Sequence, residues 1–397
     1  MRRLAAVALP GRPNAAPAAG ARRLLAAGLI ALAGVHGADA REAGSRDVAD
    51  FGGIYVATKP LRAERLSLPE RIYQLPGVDG IYVRLVWEAI EPRPGSYDWT
   101  TLDREVARAL AAGKKLSLGV RSGFFAPPWL SQQGVPHGAF FVGPHGGTRG
   151  RCETVHIPVP WSPLYQEAYA RMIHALAQHL RARRGAYEAV RIVKITGINQ
   201  RTDELRLPAA RERPGSCQRD AVTTWQALGY RPSKVIDAWQ KLAAAVATAF
   251  PDKVLAVNIL QANDFPPIGE DGQLIVPGAP GFLDVKQAIL AAGLRQFSGR
   301  FAVQWNGLSA LKVAPAVLRA GEQGAIVGWQ TNQYRGLDGS GCEADNVAAA
   351  KPCTASSYQA ILENGIRNGA RYIEVWPSNA EQFSAVIEAL RASLPLR

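Results

Sequence analysis

The stretch GIYVRLVWEAIEPRPGSYDWTTLDREVARALAAGKKLSLGV, residues 80–120, decides the fold. It opens on a β-rich apolar run, GIYVRLVW, breaks at a Glu-Pro and Pro-Gly loop, and continues as TTLDREVARALAAG, whose apolar residues recur at helical spacing. A second apolar run, KKLSLGVRSG (114–123), follows. Strand, helix, strand in close succession implies a right-handed crossover between parallel strands.

The same grammar extends over the chain beyond residue 50. Eight apolar runs recur: FGGIYVAT (51–58), GIYVRLVW (80–87), KKLSLGVRSG (114–123), VRIVKITGIN (190–199), KVLAVNIL (253–260), RFAVQWNGL (300–308), GAIVGWQTN (324–332) and RYIEVWPSN (371–379). Amphipathic segments separate them, clearest at TTLDREVARALAAG, SPLYQEAYARMIHALAQHLRARR, SKVIDAWQKLAAAVATAF, SSYQAILENGIRNG and AEQFSAVIEALRASL. The helices before the second and seventh runs are shorter. Eight units in one composition regime predict an α/β fold of the (β/α)8 TIM barrel type, in a single domain over 41–397. An open doubly wound sheet is the main competitor, but no run is followed by a GxGxxG or P-loop glycine pattern. The longest loops, about 124–161, 200–230, 261–283 and 333–354, all follow strands, which in a barrel gathers them on the face where active sites form.

Residues 1–40 are expected to be a secretory signal: Arg22 and Arg23 precede an apolar run from Leu24 to Val35, and Ala38-Asp39-Ala40 supplies a small-x-small cleavage site. The apolar run is short for a bilayer span, so export to the periplasm or beyond, with no stable membrane span, is the expectation. The 397-residue chain carries a formal charge of +13, and removing 1–40 takes away five Arg and one Asp, which leaves it basic. The positive residues are dispersed and no zinc-finger spacing or basic helix is present, which argues against nucleic acid; a solvated basic surface or a preference for anionic glycans both fit. Four cysteines, Cys152, Cys217, Cys342 and Cys353, suit an oxidising compartment. Cys342 and Cys353 lie in one polar loop and are the easiest pair to close, leaving Cys152 and Cys217 for each other. With no CxxC, HxH or HExxH spacing, and His137, His145 and His156 scattered in the third long loop, neither a metal nor another cofactor is expected. The serine-hydrolase elbow GxSxG is also missing.

At the strand ends the residue types are distinctive. Trp87, Trp129, Trp305, Trp329 and Trp376 fall there, with Asn199, Gln200, Asn258, Gln304, Asn306, Gln330, Asn332 and Asn379. Indole faces stack on the C–H faces of sugar rings while amides and arginine bind hydroxyls, so a carbohydrate ligand is expected; the alternative is that the tryptophans plug the barrel mouth.

From Arg84 to Val120 the chain resembles the retaining β-glycosidase clan of (β/α)8 barrels, which includes the β-galactosidases and cellulases. Arg84, Trp87, Glu91-Pro92, Gly95, Tyr97, Trp99 and Leu102-Asp103 match that clan's pattern in order. FAPPWL (125–130) and WSPLYQEAYARMI (161–173) resemble its third loop and the following helix. The resemblance implies a sugar substrate and an orienting role for Arg84 beside a catalytic carboxylate. It also exposes two departures. Where the clan places Asn-Glu on the fourth strand and a nucleophilic Glu on the seventh, this chain has Asn199-Gln200 and Gln330, and glutamine neither donates a catalytic proton nor attacks an anomeric carbon.

Other carboxylates must then act, or the barrel binds without cleaving. Glu204, just past Asn199, is the expected general acid/base, with Asp203 beside it; the alternative is that Thr202, Asp203 and Glu204 merely cap a turn. Glu374, set within the apolar run RYIEVW, is the expected nucleophile or electrostatic partner, or else half of an ion pair with Arg84 or another barrel-interior arginine. Arg84, Asn199, Gln304 and Gln330 are expected to position the sugar, and Glu88, Glu91 and Asp264 are reserves, Glu91 serving loop structure.

Overall fold

The computed structural model describes residues 50–62, 67–142, 153–209, 220–261, 264–332 and 353–395. The expected leader at 1–40 and three of the four cysteines, Cys152, Cys217 and Cys342, lie outside them. Cys353 is buried and is not a free thiol.

Ten strands occur among the described residues: β1 (Gly53–Ala57), β2 (Gly80–Val86), β3 (Lys115–Arg121), β4 (His137–Val142), β5 (Glu153–Pro158), β6 (Val190–Lys194), β7 (Val254–Ile259), β8 (Phe301–Leu308), β9 (Ile326–Thr331) and β10 (Tyr372–Val375). Eight close a parallel barrel in the order β1-β10-β9-β8-β7-β6-β3-β2, and each lies inside one of the eight runs read from the sequence. The fourth run is shorter than expected. Strand β6 stops at Lys194, and 195–199 belong to the following loop. The last run also ends early, because a helix begins at Pro377.

Helices form where the apolar spacing predicts them, and their starts have chemical causes. Pro163, Pro232 and Pro315 open helices at a position whose N–H has no intrahelical partner. Thr354 and Ser357 form a reciprocal capping pair at Ala355–Arg367, and the Asp284 carboxylate accepts from the Gln287 N–H at Val285–Gln296. The two remaining strands, β4 and β5, form an antiparallel hairpin inside the third long loop, which periodicity had not separated from loop. Phe140 fastens it to the barrel by packing 4.6 Å from Trp225, which lies on the helix Ala221–Ala227.

Alternation along each strand divides the side chains between two cores. Ile81, Val83, Leu85, Val303, Trp305, Trp329, Ile373 and Val375 belong to the core between strands and helices. Tyr55, Ile192, Val254, Ala256, Ala302 and Tyr372 fill the lower barrel interior. Large and small residues interlock there. A Cβ on Gly80 would lie 2.4 Å from the Tyr55 ring, one on Gly119 2.6 Å from the Tyr82 hydroxyl, and one on Gly328 2.3 Å from the Tyr372 ring. These glycines are the spaces the tyrosines occupy, so the barrel is filled rather than hollow.

Candidate active site at the strand ends

Above the tyrosines the interior turns polar. Lys194, from β6, places Nζ 2.8 Å from Glu374 Oε1 of β10 and donates to Gln304 Oε1 of β8 at 2.5 Å. Gln304 and Gln330 each donate an Nε2 proton to Glu374 Oε2, at 2.7 and 2.8 Å. Four strands thus converge on one carboxylate, which is 0% exposed. The ammonium also lies 5.1 Å from the Tyr82 ring centre and 5.0 Å from that of Tyr372. Burial lowers the Lys194 pKa, and Glu374 opposes that by favouring the charged form. The ion-pair alternative for Glu374 is met, with Lys194 as the partner in place of Arg84 or another barrel-interior arginine. The carboxylate is a fully buried, ion-paired element of the barrel interior.

One layer nearer the mouth, the loop after β6 folds back on itself. Asn199 pairs antiparallel with Leu205, and the Leu205 N–H donates to the Asn258 carbonyl at 2.7 Å, so residues 204–205 run beside the end of β7. Asn199 is consumed in building this turn: its Oδ1 accepts from Ser122 Oγ at 2.7 Å and its Nδ2 donates to the Thr202 carbonyl at 2.8 Å. Gln200 is also occupied, accepting from Arg206. Gly123, at φ +57, lets the loop after β3 approach so closely that a Cβ there would lie 2.0 Å from the Asn199 carbonyl oxygen. Residues 202–204 do form a turn, and it delivers two carboxylates to different partners.

Asp203 is gripped by Arg121 from β3, with Nε 2.7 Å from Oδ1 and Nη2 3.2 Å from Oδ2, and Arg84 Nη1 stands 4.0 Å away. Burial pushes its pKa up, but the charge and hydrogen bonds of Arg121, then the charge of Arg84, outweigh burial and hold it below the ordinary carboxylate value. Burial beside Arg121 takes the Arg84 guanidinium down to about 10. Arg84 also donates Nε to the Thr58 carbonyl and lies over Trp376, 5.0 Å from the ring centre. Arg84 does stand beside a carboxylate, as the clan pattern implies, but that carboxylate is Asp203.

Glu204 is different. Its Oε1 accepts from Asn306 Nδ2 at 3.0 Å, while Oε2 is out of solvent with no hydrogen-bond partner among the described residues. Asn306 in turn accepts from Gln304 Nε2 at 2.7 Å, which links Glu204 to the Glu374 cluster through two amides. Asn258, the register partner of Gln304, leaves both Oδ1 and Nδ2 unpaired. Glu204 and Asn258 are 8% and 1% exposed.

Several expected ligand contacts are displaced by strand alternation. Gln304 and Gln330 turn inward, so Trp305 and Trp329 turn outward, where they pack edge to face with centroids 6.4 Å apart. Trp87 is fully buried against Trp129, Tyr165 and Tyr169, and its Nε1 donates to Glu91 Oε2 at 2.7 Å. Trp129 is buried too, donating to the Glu91 carbonyl at 2.9 Å. These four tryptophans hold the barrel wall. Of the five, Trp376 alone is half-buried at the mouth, in phase with Glu374. Among the reserves, Glu91 also accepts from the Gly95 N–H at 2.9 Å and so closes its loop, as expected. Glu88 pairs with Arg62 at 3.0 Å, and Asp264 pairs with Lys286. Burial raises the Asp264 pKa against that lysine. Lys194 and Arg121 were not singled out in the sequence, although each breaks the apolar character of a strand at an inward position.

No group of His, Cys, Asp and Glu able to hold a metal ion occurs among the described residues, and no described helix is long and apolar enough to cross a membrane.

Residues 71–190 match the family model Glyco_hydro_42, described as Beta-galactosidase. No curated protein matches the chain by sequence. Among solved structures, the catalytic domain of the beta-amylase from Paenibacillus polymyxa superposes with a TM-score of 0.56 at 13% identity, covering 87% of this chain and 99% of that one. The cold-adapted beta-galactosidase from Rahnella sp. R3 superposes with a TM-score of 0.52 at 11% identity over 86% of this chain, which spans 57% of that enzyme. At these identities the superpositions establish a shared fold. With the closed eight-stranded parallel barrel, they place this chain in the (β/α)8 fold, with residues 71–190 similar to that glycoside hydrolase family.

Proposed function

We propose that this glycoside hydrolase-like barrel is an exported enzyme that binds a carbohydrate at the mouth formed by its strand ends and cleaves a glycosidic bond there, with Glu204 as the general acid/base. The observation that carries the reading is the unpaired Glu204 Oε2, on a loop turned back over the end of β7. A carboxylate withdrawn from water without a donor is costly to keep, and such groups concentrate where a ligand or a proton transfer will use them. Trp376 and Arg84 supply a sugar-facing ring and a fixed positive charge beside it. Glu374 then acts as an electrostatic partner, its charge carried to Asn306 and Glu204 through Gln304. Export follows from the leader read at 1–40 and accords with the cysteines.

One observation favours a second reading, a glycan-binding barrel without turnover. Hydrolysis by paired carboxylates needs them about 5–5.5 Å apart for retention or about 6.5–9.5 Å apart for inversion, both reachable by substrate. Here Glu374 is closed off by Lys194, Gln304 and Gln330.

A panel of neutral and acidic oligosaccharides assayed for new reducing ends and for binding by calorimetry separates the two. An enzyme releases reducing ends and loses that on Glu204→Gln. A binding barrel shows affinity with no release by either protein. No affinity for any glycan would sink both.

A further inference from the structure

Resting on the carbohydrate reading of this mouth, we infer that Glu204 and Asn258 form a seat for two adjacent hydroxyls of one neutral sugar unit, with Asn258 setting specificity.

The two residues are held side by side by backbone. Glu204 bridges to Asn258 in parallel register, and the Leu205 N–H to Asn258 carbonyl bond of 2.7 Å fixes the spacing. Their side chains share one polar row. Glu204 Oε1 accepts from Asn306, Asn306 accepts from Gln304, and Gln304 is the register partner of Asn258 on the neighbouring strand. What this row lacks is specific. Glu204 Oε2 and Asn258 Oδ1 want donors, and Asn258 Nδ2 wants an acceptor, yet no described protein group meets any of them. A hydroxyl is both donor and acceptor, so two neighbouring hydroxyls on one ring supply two donated protons and the lone pair for Nδ2 in a single placement. A monovalent cation would leave the amide protons unmet, and an apolar group would meet nothing.

Charge fixes the class further. The basic sequence, at +13, draws anionic glycans to the molecule as a whole. At this seat the unmet atom belongs to a carboxylate, while the nearby guanidinium of Arg121 is already spent on Asp203. A sugar carboxylate placed here would face like charge at hydrogen-bonding distance. The seat therefore selects a neutral ring.

The test takes the tightest-binding neutral β-linked disaccharide from a galacto-, gluco- and manno-configured set, its single-deoxy analogues, and the corresponding uronate. In the wild-type protein, removal of one of two adjacent hydroxyls weakens binding about tenfold to a hundredfold, as expected for hydrogen bonds that include a charged acceptor. In Asn258→Leu, which keeps the branched shape and removes the amide, the parent sugar binds more weakly and the same deoxy analogue now binds within about twofold of it. The uronate binds more weakly than the neutral sugar at low salt. If the deoxy penalty is unchanged in Asn258→Leu and in Asn258→Ala, or if the uronate binds better, the seat is refuted, while glycan binding weakened by Trp376→Ala would leave the wider reading standing. If Asn258→Leu leaves every affinity unchanged, the unmet atoms hold water only and the seat is again refuted. If no sugar binds at all, both readings fall.

Discussion

Glu374 and Glu204 are joined through two amides, yet they live under opposite conditions. Glu374 receives one ammonium and two amide donors and is wholly withdrawn from solvent. Glu204 receives one amide and keeps an oxygen unmet. The difference lies in which backbone carries them. A carboxylate in the middle of a barrel strand is surrounded by seven other strands that can answer it, whereas the one on the returning loop is buried with fewer donors in reach. Glu374 is the more fully answered of the two, and in the proposed reading Glu204 is the group that carries the proton.

The comparison breaks most sharply at Glu374. Replacing it with Ala leaves the Lys194 ammonium buried and unpaired, and loss of one partner from such a pair costs about 3–5 kcal/mol. Urea denaturation should show that loss, while the double variant Lys194→Met, Glu374→Leu should recover much of it. Should Glu374→Ala instead leave stability intact and abolish only turnover, Glu374 is chemical after all and the contrast with Glu204 collapses.

Arg121→Ala should cost somewhat less, about 3 kcal/mol near neutral pH, because Arg84 still stands 4.0 Å from Asp203. Its signature is in the pH dependence. The native Asp203 pKa lies below its ordinary value, so the unfolded chain takes up this proton first on acidification. The carboxylate thus contributes stability above the unfolded value near about 3.9, and that contribution fades as the pH falls through the depressed native value. Without Arg121 the native pKa rises, and the acid-unfolding midpoint should move to higher pH. A midpoint that stays in place would show that Arg121 does not hold Asp203.

Glu91→Gln should be milder, about 1–2 kcal/mol, since the amide can keep one acceptor for Trp87 Nε1 or the Gly95 N–H but loses the charge that strengthens both. Glycan affinity should not change. A loss of hydrolysis from this substitution alone, with Glu204→Gln still active, would transfer the acid/base role to the Glu-Pro loop.

Much of this fold was legible because period-2 apolar runs and 3.6-period segments alternate without interruption. Even Gly80, Gly119 and Gly328, which carry no periodic signal, serve that plan by making room for tyrosines. The hairpin of β4 and β5 escaped notice because its runs are short and interleaved with Gly and Pro inside a long loop. At the candidate site, Glu204 was read from its place just past a strand end and Arg84 from the resemblance over 84–120. Lys194 could have been, since a lysine at the end of VRIVK in a buried strand demands a counter-charge. The answering pair in RYIEVW was visible on the page, but only the closed barrel brings β6 opposite β10. The unpaired state of Glu204 Oε2 and Asn258 was not legible at all, since it depends on which neighbours happen not to reach them.

The tryptophans test the same lesson at its smallest scale. Successive residues of a strand face opposite sides, so Gln304 with Trp305, and Gln330 with Trp329, cannot both address a ligand in the barrel. The glutamines take the interior, and Trp329 and Trp305 pack on each other in the helix layer. Trp376 shares the phase of Glu374, lies against Arg84, and donates its Nε1 to the Thr331 carbonyl at 2.9 Å, which leaves a ring face fixed at the mouth. Trp329→Phe should therefore leave the dissociation constant for a bound oligosaccharide within about twofold, since the ring is remote from any ligand in the mouth. Trp376→Ala should weaken binding about tenfold or more, as loss of a stacking ring in a sugar site does. If Trp329→Phe weakens binding as much as Trp376→Ala, the ligand lies along the outer wall of the barrel, and neither Glu204 nor Glu374 faces it.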